Sequence, residues 1–231
     1  MTYYERAATT VLAAMILAPA LAATAELGFS RSVTPGLVDR YTGLFGVSAR
    51  SRLKTWQDFM QAANPGLKTA VPAADPANVL NRVNDFVNRL PAIPDIDHWK
   101  VVDYWATAAE TFASNGGDCE DFVIAKYFAL KELGFPIERL RIVYVRMRNS
   151  SEAHMVLAYY VKPDAIPLIL DNLFARIVPA TERPDLTPVF SFNDDDLMLG
   201  GGYAAAKEKG SSTQLRQWKE LLAKLRTELT Y

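Results

Sequence analysis

The sequence predicts an α+β fold, in which a helical N-terminal lobe packs on an antiparallel β-sheet lobe and a candidate nucleophile sits at a helix N-terminus. Three observations predict it. Apolar residues recur at three- and four-residue steps through the first half of the chain, alternating β-branched runs follow residue 140, and Gly116-Gly117 breaks the chain just before a strongly helical run from Cys119. With 231 residues, 50% of them hydrophobic, the chain can bury a substantial core. This fits one two-lobed domain over 26–231, its helical lobe at about 34–115 and the Cys119 helix with the β lobe at about 116–231.

Residues 1–25, MTYYERAATTVLAAMILAPALAATA, place Arg6 before an apolar run from Val11 to about Ala23, with small residues at Ala20 and Ala22. That is the pattern of a secretory signal peptide with an A-x-A-like cleavage site, and it predicts export. The run is shorter than the about 20 apolar residues of a spanning helix, so an uncleaved anchor is the second reading.

Each later element has its own signal. Thr34 suits an N-cap and Pro35 a first helical position, and Leu37, Tyr41, Leu44, Leu53, Trp56, Phe59 and Met60 carry a helical period that Gly43 and Gly46 divide in two. Val79, Leu80, Val83, Phe86, Val87 and Leu90 define another amphipathic helix, ended by Pro91 and Pro94. VVDYWATAAETFASNGGD starts extended and becomes a short helix. CEDFVIAKYFALKELG is helical to Gly134. LRIVYVRM (140–147), HMVLAYYV (154–161) and PLILDNL (167–173) read as three strands of an antiparallel meander, with NSSE as the first turn. An acidic, glycine-rich loop then precedes a helix from about Ser212 to Leu229, with Trp218 on its apolar side.

Twenty-five basic and 26 acidic side chains give a net charge of -1 with no long block of one sign, which leaves no electrostatic footprint for nucleic acid. Cys119 is the only cysteine, so it can form no internal disulfide, and an exported thiol is then either buried and inert or used. Asp118, Glu120 and Asp121 surround it. Their charge raises a thiol's pKa, while a helix start stabilises a thiolate by roughly 0.3 to 2 kcal/mol. His154 opens one strand and Asp171 closes the next, an order in which an imidazole can reach sulfur and be oriented from behind. Taken singly, His154 also reads as a strand-end histidine and Asp171 as a turn residue.

The motifs around these residues are more specific. GDCEDFVIAKYFAL, the preceding DYWAT and FVNRLPAIPDIDHW, and AHMVLAYY followed by PLILDNL closely resemble the bacterial transglutaminase-like cysteine peptidases, in particular the LapG-type periplasmic proteases. The resemblance runs from about Trp56 through Asn172. It implies a papain/transglutaminase-like fold with Cys119 as nucleophile, His154 as general base and later acid, and Asp171 as the residue that orients the ring. It further implies a Ca²⁺ cofactor bound by Asp118, Glu120 and Asp121, with the remaining ligands from a loop elsewhere, since contiguous residues on a helix diverge by about 100°. The implied substrate is a large surface adhesin, cut near its N-terminus at an Ala-Ala-type site to release cells from a biofilm. The implied inhibitory partner is an inner-membrane receptor that senses cyclic di-GMP, and the protease itself is expected to be a monomer.

Two other readings stand beside this one, a transglutaminase or amidase on the same triad and a non-enzymatic calcium-dependent adhesin-docking module. Trp105, near the cysteine motif, is a candidate substrate or receptor contact. His98 reads as a surface residue, Asp194 to Asp196 as a solvated loop, and Trp56 and Trp218 as core.

Overall fold

The computed structural model describes residues 33–63, 75–148, 150, 153–200, 202–203 and 208–231; the segment read as a signal peptide lies outside them. Thr34 caps α1 (Pro35–Phe45) by accepting the Leu37 N–H at 3.1 Å, with Pro35 in the first turn. Gly43 is carried inside this helix. The division falls at Gly46 alone, whose φ of 82° stops α1 before α2 (Ser48–Ala63) begins. Asp75 caps α3 (Pro76–Val87) through the Asn78 N–H. A four-residue helix that the sequence does not announce, α4 (Asp95–His98), follows, and then α5 (Ala108–Ser114), which opens on a Thr107/Glu110 capping box.

Between α5 and α6 (Cys119–Glu132) the chain must pass two tight points, and each needs a glycine. A Cβ on Gly116 (φ 150°) would sit 2.8 Å from the Pro91 carbonyl oxygen, and one on Gly117 would sit 2.3 Å from Asp121 Oδ2. α6 is buried without a break from Asp121 to Leu130, which makes it the central helix, packed on α3, α5 and the sheet.

The strands are β1 (Leu140–Met147), β2 (Ala153–Tyr159), β3 (Leu168–Leu170), β4 (Val178–Pro179), β5 (Leu186–Phe192), β6 (Leu197–Leu199) and β7 (Glu208–Gly210). Among the described residues they form one sheet in the order β4-β3-β2-β1-β5-β6-β7, every neighbouring pair antiparallel. The expected meander is present as β1-β2-β3. It is not the whole sheet, because β5 pairs along the other edge of β1. Pro188 hides that strand in the sequence, and the structure tolerates it where the β1–β5 register shifts beside Val145.

One sheet face packs on the helices through Leu140, Ile142, Met155, Leu157 and Tyr159; a smaller cluster of Val143, Val145, Val156, Ala158 and Ile169 fills the other. Trp56 stacks on Phe112 at 4.3 Å and Trp218 meets Phe192 at 5.1 Å, both tryptophans fully buried. Trp218 belongs to α7 (Arg216–Glu228), which begins four residues later than expected because Ser212–Gln214 is a 3-10 turn. The α7 helix runs back over the helical part, where Glu228 Oε1 accepts from Tyr41 Oη at 2.5 Å and from Thr107 Oγ1. The Asp194–Asp196 loop keeps Asp195 exposed as expected, but it is also latched to the protein, since Asp194 pairs with Lys131 and Asp196 with Arg141 at 2.8 Å. No helix among the described residues is long and apolar enough to cross a membrane.

Candidate active site

Cys119 is the first residue of α6. The first helical bond is Phe122 N–H to Asp118 O at 3.2 Å, so the N–H groups of Cys119, Glu120 and Asp121 are unused by the helix and free for other partners. Antiparallel pairing brings His154 on β2 beside the β3 end that carries Asp171, and the two bond, His154 Nε2 to Asp171 Oδ1 at 2.8 Å, both buried. With Nε2 so engaged, Nδ1 is the nitrogen left for a reacting group. Cys119, His154, Met155, Trp105 and Asn172 line one open cleft of about 1000 Å³, walled by Ile93, Ile96, Val102, Tyr144 and Phe190. Trp105 stacks on Phe192 at 5.7 Å, and its half-buried face forms part of the cleft wall. His98 is not a bare surface residue; its Nε2 meets Ser114 Oγ at 2.8 Å.

Asp171 is enclosed by donors. Oδ1 also accepts the Leu173 N–H at 2.9 Å, and Oδ2 accepts Arg183 Nη1 at 2.8 Å. Burial alone would raise its pKa, but His154, the Leu173 N–H and Arg183 outweigh that and hold it at about 2. Arg183 is a residue that sequence reasoning missed: it lies in a proline-flanked segment with no periodicity to flag it.

The opposite holds around the thiol. Burial, then the Glu120 carboxylate, whose Oε2 lies 3.0 Å from Sγ, and then Asp118 push the Cys119 pKa well up, against the single lowering contact from Met155 N–H. Burial raises all three of Asp118, Glu120 and Asp121; the Glu120 charge adds to it at Asp118, Asp118 and Glu120 at Asp121, and Asp95 at Glu120, where hydrogen bonds to Cys119 and Asp118 work the other way. Asp118 stands at the N-cap position of α6 yet makes no capping bond. Its Oδ1 is buried with no hydrogen-bond partner, as are Asp121 Oδ2 and Asp95 Oδ1. Carboxylate oxygens of Asp95, Asp118 and Asp121 gather within 4.8 Å of one another, and so do those of Asp95, Asp103 and Glu120. The three acids flanking the cysteine thus divide between two adjoining groups that Asp95 joins, with Asp103 completing the second. Asp95 and Asp103 went unread in the sequence, because nothing in the DIDHWKVVDYW stretch sets their distance from the cysteine.

Orphaned, buried, mutually repelling carboxylate oxygens are the donor set that a hard divalent cation satisfies, and these residues fit Ca²⁺. Asp95, Asp103, Asp118, Glu120 and Asp121 are the side chains that would hold it.

A thiol on a helix start, in a cleft shared with an imidazole that a buried carboxylate anchors, defines the class of cysteine hydrolases with a transglutaminase-like fold. Residues 60–184 match the model of the bacterial transglutaminase-like cysteine proteinases, and the chain belongs to that family and is a cysteine peptidase. It is similar to the solved structures of Legionella pneumophila LapG. The calcium-bound form is 34% identical with a TM-score of 0.65, over 81% of this chain and 98% of that one. The EGTA-treated form is 33% identical with a TM-score of 0.66, over 81% and 97%. A search of curated proteins finds no match.

Proposed function

We propose that this chain is a calcium-dependent cysteine endopeptidase in which Cys119, His154 and Asp171 act as nucleophile, general base and orienting carboxylate. The observation that carries the reading is the pairing of His154 Nε2 with buried Asp171 in the cleft that holds Cys119. The Cys119 thiolate attacks the scissile carbonyl, with its own backbone N–H, unused by the helix, as one donor to the oxyanion. The proton carried by His154 passes to the leaving amine, and a thioester remains. His154 then takes a proton from water, which attacks the thioester to release the acid and restore the thiol. Asp171, kept ionised by its three donors, holds the ring in one tautomer throughout. A bound Ca²⁺ offsets the carboxylates around the sulfur and favours its ionisation. The likeness to calcium-bound LapG and the unpaired acids support that role.

The substrate in this reading is the N-terminal region of a large surface adhesin, cut in the periplasm at an Ala-Ala-type site so that cells leave a biofilm, under the control of an inner-membrane cyclic di-GMP receptor. Its support is the family membership and a cleft whose walls are mostly apolar, with Asp95, Asp103, Asp118 and Glu120 also lining it. Trp105 is then a wall contacted by substrate or receptor.

The test is incubation of the protein with Ala-Ala-containing adhesin N-termini, with and without EGTA. Cleavage is expected to vanish in Cys119→Ala and in chelator and to return with excess Ca²⁺. Cleavage by Cys119→Ala would remove the triad, full activity in chelator would remove the metal, and amine incorporation without cleavage would favour a transglutaminase.

A further inference from the structure

Residues 103–106 lie between α4 and α5 and belong to no helix or strand, yet side chains from α4, α6 and α7 all hold them. The Tyr104 N–H donates to Asp95 Oδ2, and the Ala106 N–H to Asp121 Oδ1 at 2.7 Å. The α7 helix supplies the other anchors. Lys224 Nζ donates to the Trp105 carbonyl at 2.5 Å, and Gln217 Nε2 to Asp103 Oδ2 at 2.8 Å. N–H groups two residues apart thus go to the acids and the carbonyl between them goes to α7, the alternation of an extended chain. The Lys224 ammonium also lies over the Tyr104 ring, 3.8 Å from its centroid.

Asp95 and Asp121 each face two ways. One oxygen holds the segment, while the other, Asp95 Oδ1 and Asp121 Oδ2, is buried with no hydrogen-bond partner. The two residues are 3% and 0% exposed, and they gather with Asp118 within 4.8 Å. A carboxylate is a rigid planar group, so turning one oxygen toward a cation turns the other, and the backbone bonded to it, at the same time. Asp103, at the head of the segment, stands in the second acid group with Asp95 and Glu120. The segment is therefore tied to the acids at residues 103, 104 and 106. Like charges at these distances repel, and a dication that offsets them draws the groups together. Between the ties sits Trp105, which lines the cleft with Cys119 and stacks on Phe192 with 5.7 Å between ring centroids.

We propose that residues 103–106 couple the calcium site to the substrate cleft: bound Ca²⁺, acting through Asp95, Asp103 and Asp121, sets the position of Trp105, and Lys224 is a positioning residue that holds the segment in the form both sites need. The inference rests on the reading of these acids as a calcium site. It gives the metal a second role, shaping the cleft wall as well as favouring the thiolate. The coupling is reciprocal, so whatever steadies the segment also tightens calcium.

Lys224 makes the sharp test, because charge and coupling call for opposite signs. Among the described residues its bonds go to Trp105 O and Glu110 and to none of the five acids. By charge alone, removing a cation near acids strengthens Ca²⁺ binding. Through the segment, its removal weakens that binding. In calorimetry on the full-length protein, Lys224→Met is expected to bind Ca²⁺ about fivefold more weakly, and Lys224→Arg to restore the affinity. In fluorine NMR of the protein labelled with fluorotryptophan, Trp→Phe replacements assign the four indole signals. Added Ca²⁺ should move the Trp105 signal in step with the calorimetric curve and leave that of Trp56 in place. A Trp105 signal that ignores bound calcium overturns the proposal, and so does a Lys224→Met protein that binds Ca²⁺ as tightly as the unaltered chain or more tightly. Should Lys224→Met not fold, the Trp105 signal of the unaltered chain decides alone. If calorimetry detects no Ca²⁺ binding at all, the metal reading falls and the proposal with it, a failure distinct from calcium that binds without moving Trp105.

Discussion

Asp171 shows how a single residue's surroundings decide its chemistry. Three donors from β2, its own loop and Arg183 converge on a carboxylate with no solvent contact, and they hold it at about 2. Replacing Arg183 by Met leaves Asp171 Oδ2 buried without a partner, at a cost of about 1 to 3 kcal/mol. Since Arg183 does not line the cleft, the loss should fall on kcat, by roughly ten- to a hundredfold, and leave KM unchanged in steady-state kinetics. A raised KM with normal kcat would mean that Arg183 acts on substrate and not through Asp171. Cys119 and His154 were legible in the sequence through their neighbours. Arg183 was not, because a side chain that arrives from a loop leaves no period and no motif.

At the scale of elements, the start of α6 is the joint on which the site depends. Gly117 allows Asp121 to fold back under the loop, and Asp121 Oδ1 in turn accepts the Ala106 N–H at 2.7 Å, fixing the segment that carries Trp105. A Gly117→Ala Cβ would meet Asp121 side-chain atoms at 2.3 to 2.9 Å, so this change should cost about 1 to 3 kcal/mol in urea unfolding and, on the proposed calcium role, weaken Ca²⁺ binding in calorimetry. Gly43 provides the contrast. It lies exposed inside α1, where a Cβ would find nothing within 4 Å, and Gly43→Ala should stabilise the protein by about 0.5 to 1 kcal/mol. Glycine pairs and helix caps were readable in advance since their effects are local. β5 was not, for Pro188 breaks its alternation, and α4 was too short to show a period.

Across the whole molecule, α7 ties the C-terminus to the helical part and to the wall of the cleft. Lys224 Nζ donates to Trp105 O at 2.5 Å and to Glu110 at 3.0 Å, and Gln217 donates to Asp103 at 2.8 Å. Glu228 is buried at the same junction, and burial first, then Glu110, raise it to about 7, against the lowering hydrogen bonds from Thr107 and Tyr41. An unfolded glutamate titrates near about 4.3. Between these values the folded protein binds the extra proton, so stability from this group is full below about 4.3 and is lost as pH rises through about 7. At fixed saturating calcium, Glu228→Gln should flatten the fall in unfolding free energy between pH 5 and pH 8 by roughly 2 to 3 kcal/mol. Parallel stability curves for the two proteins would show that Glu228 does not carry the proton.

By itself the sequence determined what depends on near neighbours: the cap of α1, the glycine pair, the helical and alternating periods of α6, β1 and β2, and the acid-flanked thiol at a helix start. Only the tertiary structure decided which distant side chains complete the site. Asp95 and Asp103 join Asp118, Glu120 and Asp121, and Arg183 closes on Asp171. The reason is physical. Periodicity and capping act over a few residues of backbone, whereas the convergence of charges from separate elements is set by how those elements pack, and packing leaves no local mark on the residues it brings together.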